Sequence, residues 1–292
     1  EGDDWQSEDV WFSLNPGMKH GYPVLENYRD EAAKALVSPY ERDQFLQYNL
    51  NRWLDHSATP FVEMGIYDQG AEPVDLDALE LEPCWLGVDL SSNNDLTAVV
   101  ACWRDPDDDE TFIVHPWFFC PADNLRQKAD KDNVPYPRWA EEGHIIPTPG
   151  NVVDFRTVEK TIRDLCARFD VREIAFDPHL GRNMMANLHE DGLPAVEMRQ
   201  GWVTMSPAIK ELERAILGRK FIHGGHPVLR WNFDNIALKT DEAGNKSFNK
   251  GKSKDRIDGA VAAAMAVGRA AAGKTNRSVF EDPNFKVEDY VW

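Results

Sequence analysis

The 292-residue chain contains no run of about 18 apolar residues, which excludes a membrane-spanning helix and leaves no membrane partner to expect. Its four cysteines, Cys84, Cys102, Cys120 and Cys166, include no C-x-x-C pair. That spacing speaks against a disulfide framework or a zinc site, and for reduced, mostly buried thiols of a cytosolic protein. An initiator Met and a basic-then-apolar leader are both missing, and EGDDWQSEDVW reads like the middle of something. We therefore expect a piece of a longer protein. Positive charge is scarce as well: 32 Lys and Arg face 50 Asp and Glu, a net of −18. A nucleic-acid partner normally leaves a basic footprint, so the total alone speaks against one.

What is present is that of an ordinary globular protein, with 42% hydrophobic and 28% charged residues. The charge is also unevenly spread. Residues 1–84 hold 5 Lys and Arg against 18 Asp and Glu, a net of −13, which leaves −5 for the remainder. Within 236–256 the sign reverses: Lys239, Lys246, Lys250, Lys252, Lys254 and Arg256 stand against Asp241, Glu242 and Asp255. Such a segment suits phosphate contact, or it is a solvated hairpin; charge alone leaves both open.

Residues 1–56 mix turn signals with helical periodicity, DEAAKAL (30–36) and ERDQFLQYNLNRWL (41–54) being the predicted helices. DQGAEPVDLDALELEP (68–83) is acidic, holds two prolines and reads as a linker, so we place a helical connector over 1–83 and a second domain over 84–292. There, CWLGVDLS (84–91), LTAVVACW (96–103) and TFIVHPWFF (111–119) are predicted to form an antiparallel meander. An amphipathic helix follows over 155–169, with Asp154 as its N-cap, then a buried strand, VREIAFDP, parallel to the first. A helix (182–190), a strand (193–198), a helix (206–218), a hairpin around DEAGN and a final small-residue helix, IDGAVAAAMAVGRAAA, complete an α/β pattern. It is that of a mixed sheet with helices on its faces.

Asp89 lies in the first strand, Asp177 at the end of a later one, and Asp258 at the start of the last helix. Aspartates directly after apolar strand residues are costly unless a cation or hydrogen bonds accompany them. Ligands of open α/β sheets collect at the carboxyl ends of strands, where Asp177 falls. Three carboxylates converging there would suit hard cations, Mg²⁺ or Mn²⁺, and two ions about 4 Å apart would hold a phosphodiester between them. Taken singly, each aspartate is also explained as a cap or a turn former; the three in this order favour the metal.

The order of elements resembles the ribonuclease H-like nuclease fold, and the wording is closer still to the large terminase subunit of tailed bacteriophages. The matching pieces are WLGVDLSSNNDLTAVV (85–100), IAFDPHLGRNMMANL (174–188), MRQGWVTMSPAIKELERAI (198–216), HPVLRWNFDNIAL (226–238) and KSKDRIDGAVAAAMA (252–266). The upstream EGDDWQSEDVWFSLNPG is similar to the segment that follows that family's ATPase core. The resemblance implies a Mg²⁺- or Mn²⁺-dependent endonuclease that cuts concatemeric double-stranded viral DNA during packaging. Its metal ligands would be Asp89, Asp177 and Asp258. In the full-length protein it implies portal protein and small terminase subunit as partners, and work at the procapsid in the host cytoplasm. Asp255 is read as a helix cap, Asp95 as structural, and Lys250, Lys252, Lys254 and Arg182 as candidate phosphate contacts. Two other readings stay open: another nuclease of the same fold, such as a junction resolvase, and a non-catalytic docking module for the portal or small subunit.

GRAAAGKT (268–275) spells the phosphate-loop pattern. A phosphate loop, however, needs a strand before it and a helix starting at the Lys, whereas Ala-rich helix precedes this Gly-Lys. No ATP site is expected in this chain. His223-Gly-Gly-His226 has no third ligand close by in sequence and is read as a loop before Pro227, and His179 as a loop histidine near Asp177.

Overall fold

A computed structural model describes residues 5–37, 42, 45–52, 60–91, 96–132, 134–241, 243–250, 253 and 256–273. Its N-terminal part is helical: α1 (Glu8–Leu14), a 3₁₀ turn at Pro16–His20, and α2 (Leu25–Val37). Aromatic side chains hold it together. Phe45 lies edge-on to Trp11 (5.7 Å between centroids) and to Tyr28 (5.6 Å), a geometry that adds to plain area burial. The helix predicted over 41–54 is not continuous. Phe45–Asn49 form a wide π-helical turn, and Asn51 takes a left-handed φ of 51°, which Asn tolerates better than most residues and which ends the helix. Residues 41, 43, 44, 53 and 54 of that prediction lie outside the described residues.

Residues 60–82 pack on the sheet that follows. Pro60 bridges Ala237, Phe61 lies edge-on to Phe248, and Tyr67 stacks on His223 at 4.0 Å. The acidic stretch is anchored too: Leu79 is buried, and Arg168 pairs with Asp77 and Glu80.

The meander forms as predicted, from β1 (Pro83–Asp89), β2 (Thr97–Arg104) and β3 (Phe112–Pro121), all antiparallel. In β2, Ala98, Val100 and Cys102 feed one hydrophobic core, while Val99, Ala101 and Trp103 feed another. Period-2 alternation with both faces apolar dictates a central strand covered by helices on each side. After β3 come two short helices that the sequence reading missed, α3 (Leu125–Asp132) and α4 (Tyr136–Glu141), and then β4 (Ile146–Thr148). The amphipathic helix is α5 (Phe155–Arg168). Asp154 caps it, accepting from the Arg156 amide at 3.1 Å, an interaction of about 1 kcal/mol. It buries Val158, Ile162 and Leu165 against the sheet.

β5 (Asp170–Phe176) runs parallel to β1, and β6 (Ala195–Glu197) parallel to β5. Between them α6 (Pro178–Glu190) starts earlier than predicted, because Asp177 caps it and Pro178 fits the first helical position. α7 (Trp202–Leu217) likewise starts four residues before the predicted 206. β7 (Phe221–Ile222), the unpredicted α8 (Pro227–Asp234), the hairpin β8 (Leu238–Thr240) with β9 (Lys246–Phe248), and α9 (Asp258–Ala272) complete the chain order. The main sheet runs β4-β3-β2-β1-β5-β6, with β7 also on β3. This is the mixed, helix-flanked sheet of the ribonuclease H-like fold.

α9 crosses β1 and β2 on one face, while α5 and α6 cover the other. Eleven of its residues are buried, nearly all Ala, Gly or Val, so its backbone comes close to the sheet. The four cysteines are free: Cys84, Cys102 and Cys120 are buried, and partial burial pushes the Cys166 thiol up to about 11. Among the described residues no helix is long and apolar enough to cross a membrane.

Candidate active site

The pairing of β1 with β5 sets Val88 beside Phe176, so the residues that follow, Asp89 and Asp177, emerge at one carboxyl edge of the sheet. Asp89 is 2% exposed. A buried carboxylate requires partners, and two arrive from distant segments. The Gln200 amide donates to Oδ1 at 2.9 Å, and the Lys250 ammonium donates to Oδ2 at 2.8 Å.

Asp258, 8% exposed, is the first residue of α9, where a negative charge complements the free amides of the helix start. The position of that start is fixed from α8: the Asn232 side chain accepts the Gly259 amide at 2.7 Å and donates to the Val228 carbonyl at 3.0 Å. Asp258 Oδ1 lies 3.7 Å from Lys250 Nζ. The lysine thus stands between the two carboxylates. Burial opposes its charge, yet Asp89, Asp258 and Asp177 outweigh burial and hold its pKa above the ordinary lysine value.

Asp177 is half-buried and accepts the His179 amide at 3.0 Å as the N-cap of α6. Its cap role and its place at the edge coexist. His179 and Arg182 are exposed on the first turns of α6.

Of the lysines expected to meet phosphate, Lys250 instead points inward to Asp89. Its neighbours in the basic segment are also engaged: Lys246 pairs with Glu213 at 2.5 Å, and Lys239 lies over the Trp202 ring at 5.4 Å from the centroid. Lys252 and Lys254 lie outside the described residues, as do Asp95 and Asp255.

His223 and His226 serve the fold. His223 Nε2 bonds the Tyr67 carbonyl at 2.8 Å, and His226 Nδ1 accepts the Leu229 amide as the cap of α8. GRAAAGKT is helix through Ala272, and a Cβ on Gly268 would stand 2.5 Å from the Ala208 Cβ. That glycine is explained by the contact of α9 with α7. Lys274 and Thr275 lie outside the described residues.

Among the described residues no three Asp, Glu, His or Cys side chains stand close enough to hold a metal ion as they are placed. The donor chemistry nevertheless suits a hard divalent cation: Asp89, Asp177 and Asp258 offer only carboxylate oxygens, and a cation, the Lys250 ammonium, already lies between two of them. Sequence reading missed Gln200 and Asn232. The signal for Gln200 was its place just after β6, a parallel strand whose carboxyl end adjoins that of β5.

A mixed sheet of this order, flanked by helices, places the chain in the ribonuclease H-like fold class. Comparison with known proteins narrows it. The family described as terminase large subunit, endonuclease domain, matches residues 1–274, and the chain belongs to that family. It is 32% identical over 270 residues to the terminase large subunit of Enterobacteria phage HK97, covering 91% of this chain and 52% of that protein. Protein YmfN of Escherichia coli (strain K12) is 28% identical over 279 residues, covering 92% and 61%. The crystal structure of the HK97 large terminase superposes with a TM-score of 0.67 at 31% identity, over 92% of this chain and 55% of that one. The chain therefore spans little more than half the length of these relatives.

Proposed function

We propose that this chain is the cutting module of a DNA-packaging motor. It would hydrolyse phosphodiesters of concatemeric double-stranded viral DNA with Mg²⁺ or Mn²⁺ held by Asp89, Asp177 and Asp258. The observation that carries this reading is the gathering of Asp89 and Asp258 around one cationic group at the sheet edge where Asp177 also ends. When bound, two divalent ions would polarise the scissile phosphate and lower the barrier to attack by water. The chain's own residues do the positioning. Gln200 fixes the rotamer of Asp89, the α6 amides fix Asp177, and Asn232 fixes the helix start that carries Asp258. In a full-length protein the motor would engage the portal and small terminase subunit at a procapsid in the host cytoplasm.

The test is cleavage of plasmid DNA with and without divalent cation. Nicking and linearisation in Mg²⁺ or Mn²⁺ are expected without ATP, and EDTA should stop them. Asp→Asn at residue 89, 177 or 258 should each nearly abolish cutting while the circular dichroism spectrum is retained, since each change removes one ligand charge. Undiminished cutting in EDTA overturns the reading.

A further inference from the structure

Lys250 Nζ lies 2.8 Å from Asp89 Oδ2 and 3.7 Å from Asp258 Oδ1, between two of the expected metal ligands. Both carboxylate oxygens of Asp89 are already hydrogen-bonded, Oδ1 to Gln200 and Oδ2 to Lys250, and the same ammonium lies 3.7 Å from Asp258. One ammonium thus offsets one of the two negative charges of Asp89 and Asp258, and the pocket stays net acidic without any added ion. A divalent cation bound by Asp89 and Asp258 and an ammonium at the same oxygens would be like charges in contact, so one displaces the other. Lys250 has somewhere to go. Its side chain is 47% exposed, against 3% for Asp89, so the ammonium reaches solvent by rotating its own stem.

We propose that Lys250 is a built-in counter-cation of the nuclease site, so that metal binding is an exchange in which the ammonium is expelled from Asp89 and Asp258. This inference rests on the metal reading proposed above and adds a control to it. The lysine offsets part of the carboxylates' charge while metal is absent, and it sets how much metal is needed to load the site. Removing it should leave two buried carboxylates without its positive charge, destabilising the metal-free protein while raising its affinity for metal.

The experiment is a Mn²⁺ titration of the full chain, reading free Mn²⁺ by electron paramagnetic resonance, at fixed pH and ionic strength without DNA. Wild type is compared with Lys250→Met, Lys250→Gln, Lys250→Arg and Asp89→Asn, each checked by circular dichroism and thermal melting. The two neutral variants are expected to bind Mn²⁺ about tenfold more tightly than wild type, within the ordinary range of coupling between two binding events. Their melting temperature should be lower without metal and should rise more steeply as Mn²⁺ is added. Lys250→Arg, which keeps the charge, should stay near wild type. Two neutral variants serve because either alone can misfold. If Asp89→Asn loses Mn²⁺ while the folded neutral variants bind it no more tightly than wild type, the exchange is refuted and the metal site stands. If neither wild type nor the neutral variants bind Mn²⁺, the metal reading falls and the exchange with it.

Discussion

A Cβ placed on Gly87 would stand 2.1 Å from the carbonyl oxygen of Ala262. The strand that carries Asp89 and the helix that carries Asp258 therefore meet backbone to backbone, and their separation is set two residues before one aspartate and four after the other. Gly87→Ala should push α9 off β1, since the obstruction is main chain and cannot rotate away. An overpacked core position of this kind costs about 1–3 kcal/mol, a fall of several degrees in melting temperature for a domain of this size. Cleavage should fall further than stability, because the same shift moves Asp258 from Asp89. Thermal melting beside plasmid cleavage at a temperature where the variant is folded checks this. Unchanged melting would show that α9 does not pack as described.

Gln200 donates to Asp89 at 2.9 Å. Partners that orient a ligating carboxylate typically account for 10- to 100-fold in metal affinity or activity. Gln200→Ala should reduce Mn²⁺ affinity by about that factor with little change in melting temperature. Gln200→Glu should reduce it differently, by setting a second acid against Asp89. Wild-type affinity in Gln200→Ala would relegate the contact to packing.

The three aspartates were legible because each is announced locally. GVDLS and IAFDP end apolar strands in an acid, and IDGAVAAAMA opens a small-residue helix with one. The parallel pairing of β1 and β5 then follows from the helix between them. Gln200 and Lys250 were not legible in the same way, since they reach Asp89 from 111 and 161 residues away. Lys250 was read for phosphate, as a lysine in a basic segment suggests; only the folded chain sets it beside a buried acid. The helix over 41–54 failed for a related reason, as Phe45 is drawn into a cluster with Trp11 and Tyr28 that periodicity along one segment does not register.

GRAAAGKT should bind no nucleotide. Residues 268–272 are the last turns of α9, and a helix C-terminal end presents carbonyls rather than free amides. Fluorescent ATP analogues are expected to show no saturable binding to this chain, and Lys274→Ala to behave as wild type in cleavage. Gly268→Ala should instead lower the melting temperature, because its Cβ meets Ala208 on α7. Saturable ATP binding abolished by Lys274→Ala would reinstate the phosphate loop.

His115, His144 and His226 gather beside β3, the rings of His144 and His226 4.9 Å apart and those of His115 and His226 6.3 Å apart. Burial first, then the neighbouring histidines His144, His115 and His223, push His226 down to about 3. Burial first, then Arg168, pushes His115 down to about 4. Both therefore stay neutral in the folded protein at pH 5, while in the unfolded chain they protonate near 6.5. The unfolded state then binds more protons, so stability is full above pH 6.5 and is lost as pH falls towards 4 and then 3. The loss is at most about 1.4 kcal/mol per pH unit for each histidine. Carboxylates with lowered values, such as Asp68 and Glu211, add their own loss only nearer their ordinary range, so the window from 6.5 to 5 isolates the histidines. Melting temperature should fall steadily across that window. His226→Asn keeps an acceptor for the Leu229 amide but does not titrate, and should make the fall shallower. Equal slopes for the variant and wild type would mean that His226 is protonated in the folded protein and that its pocket is wetter than the structure shows.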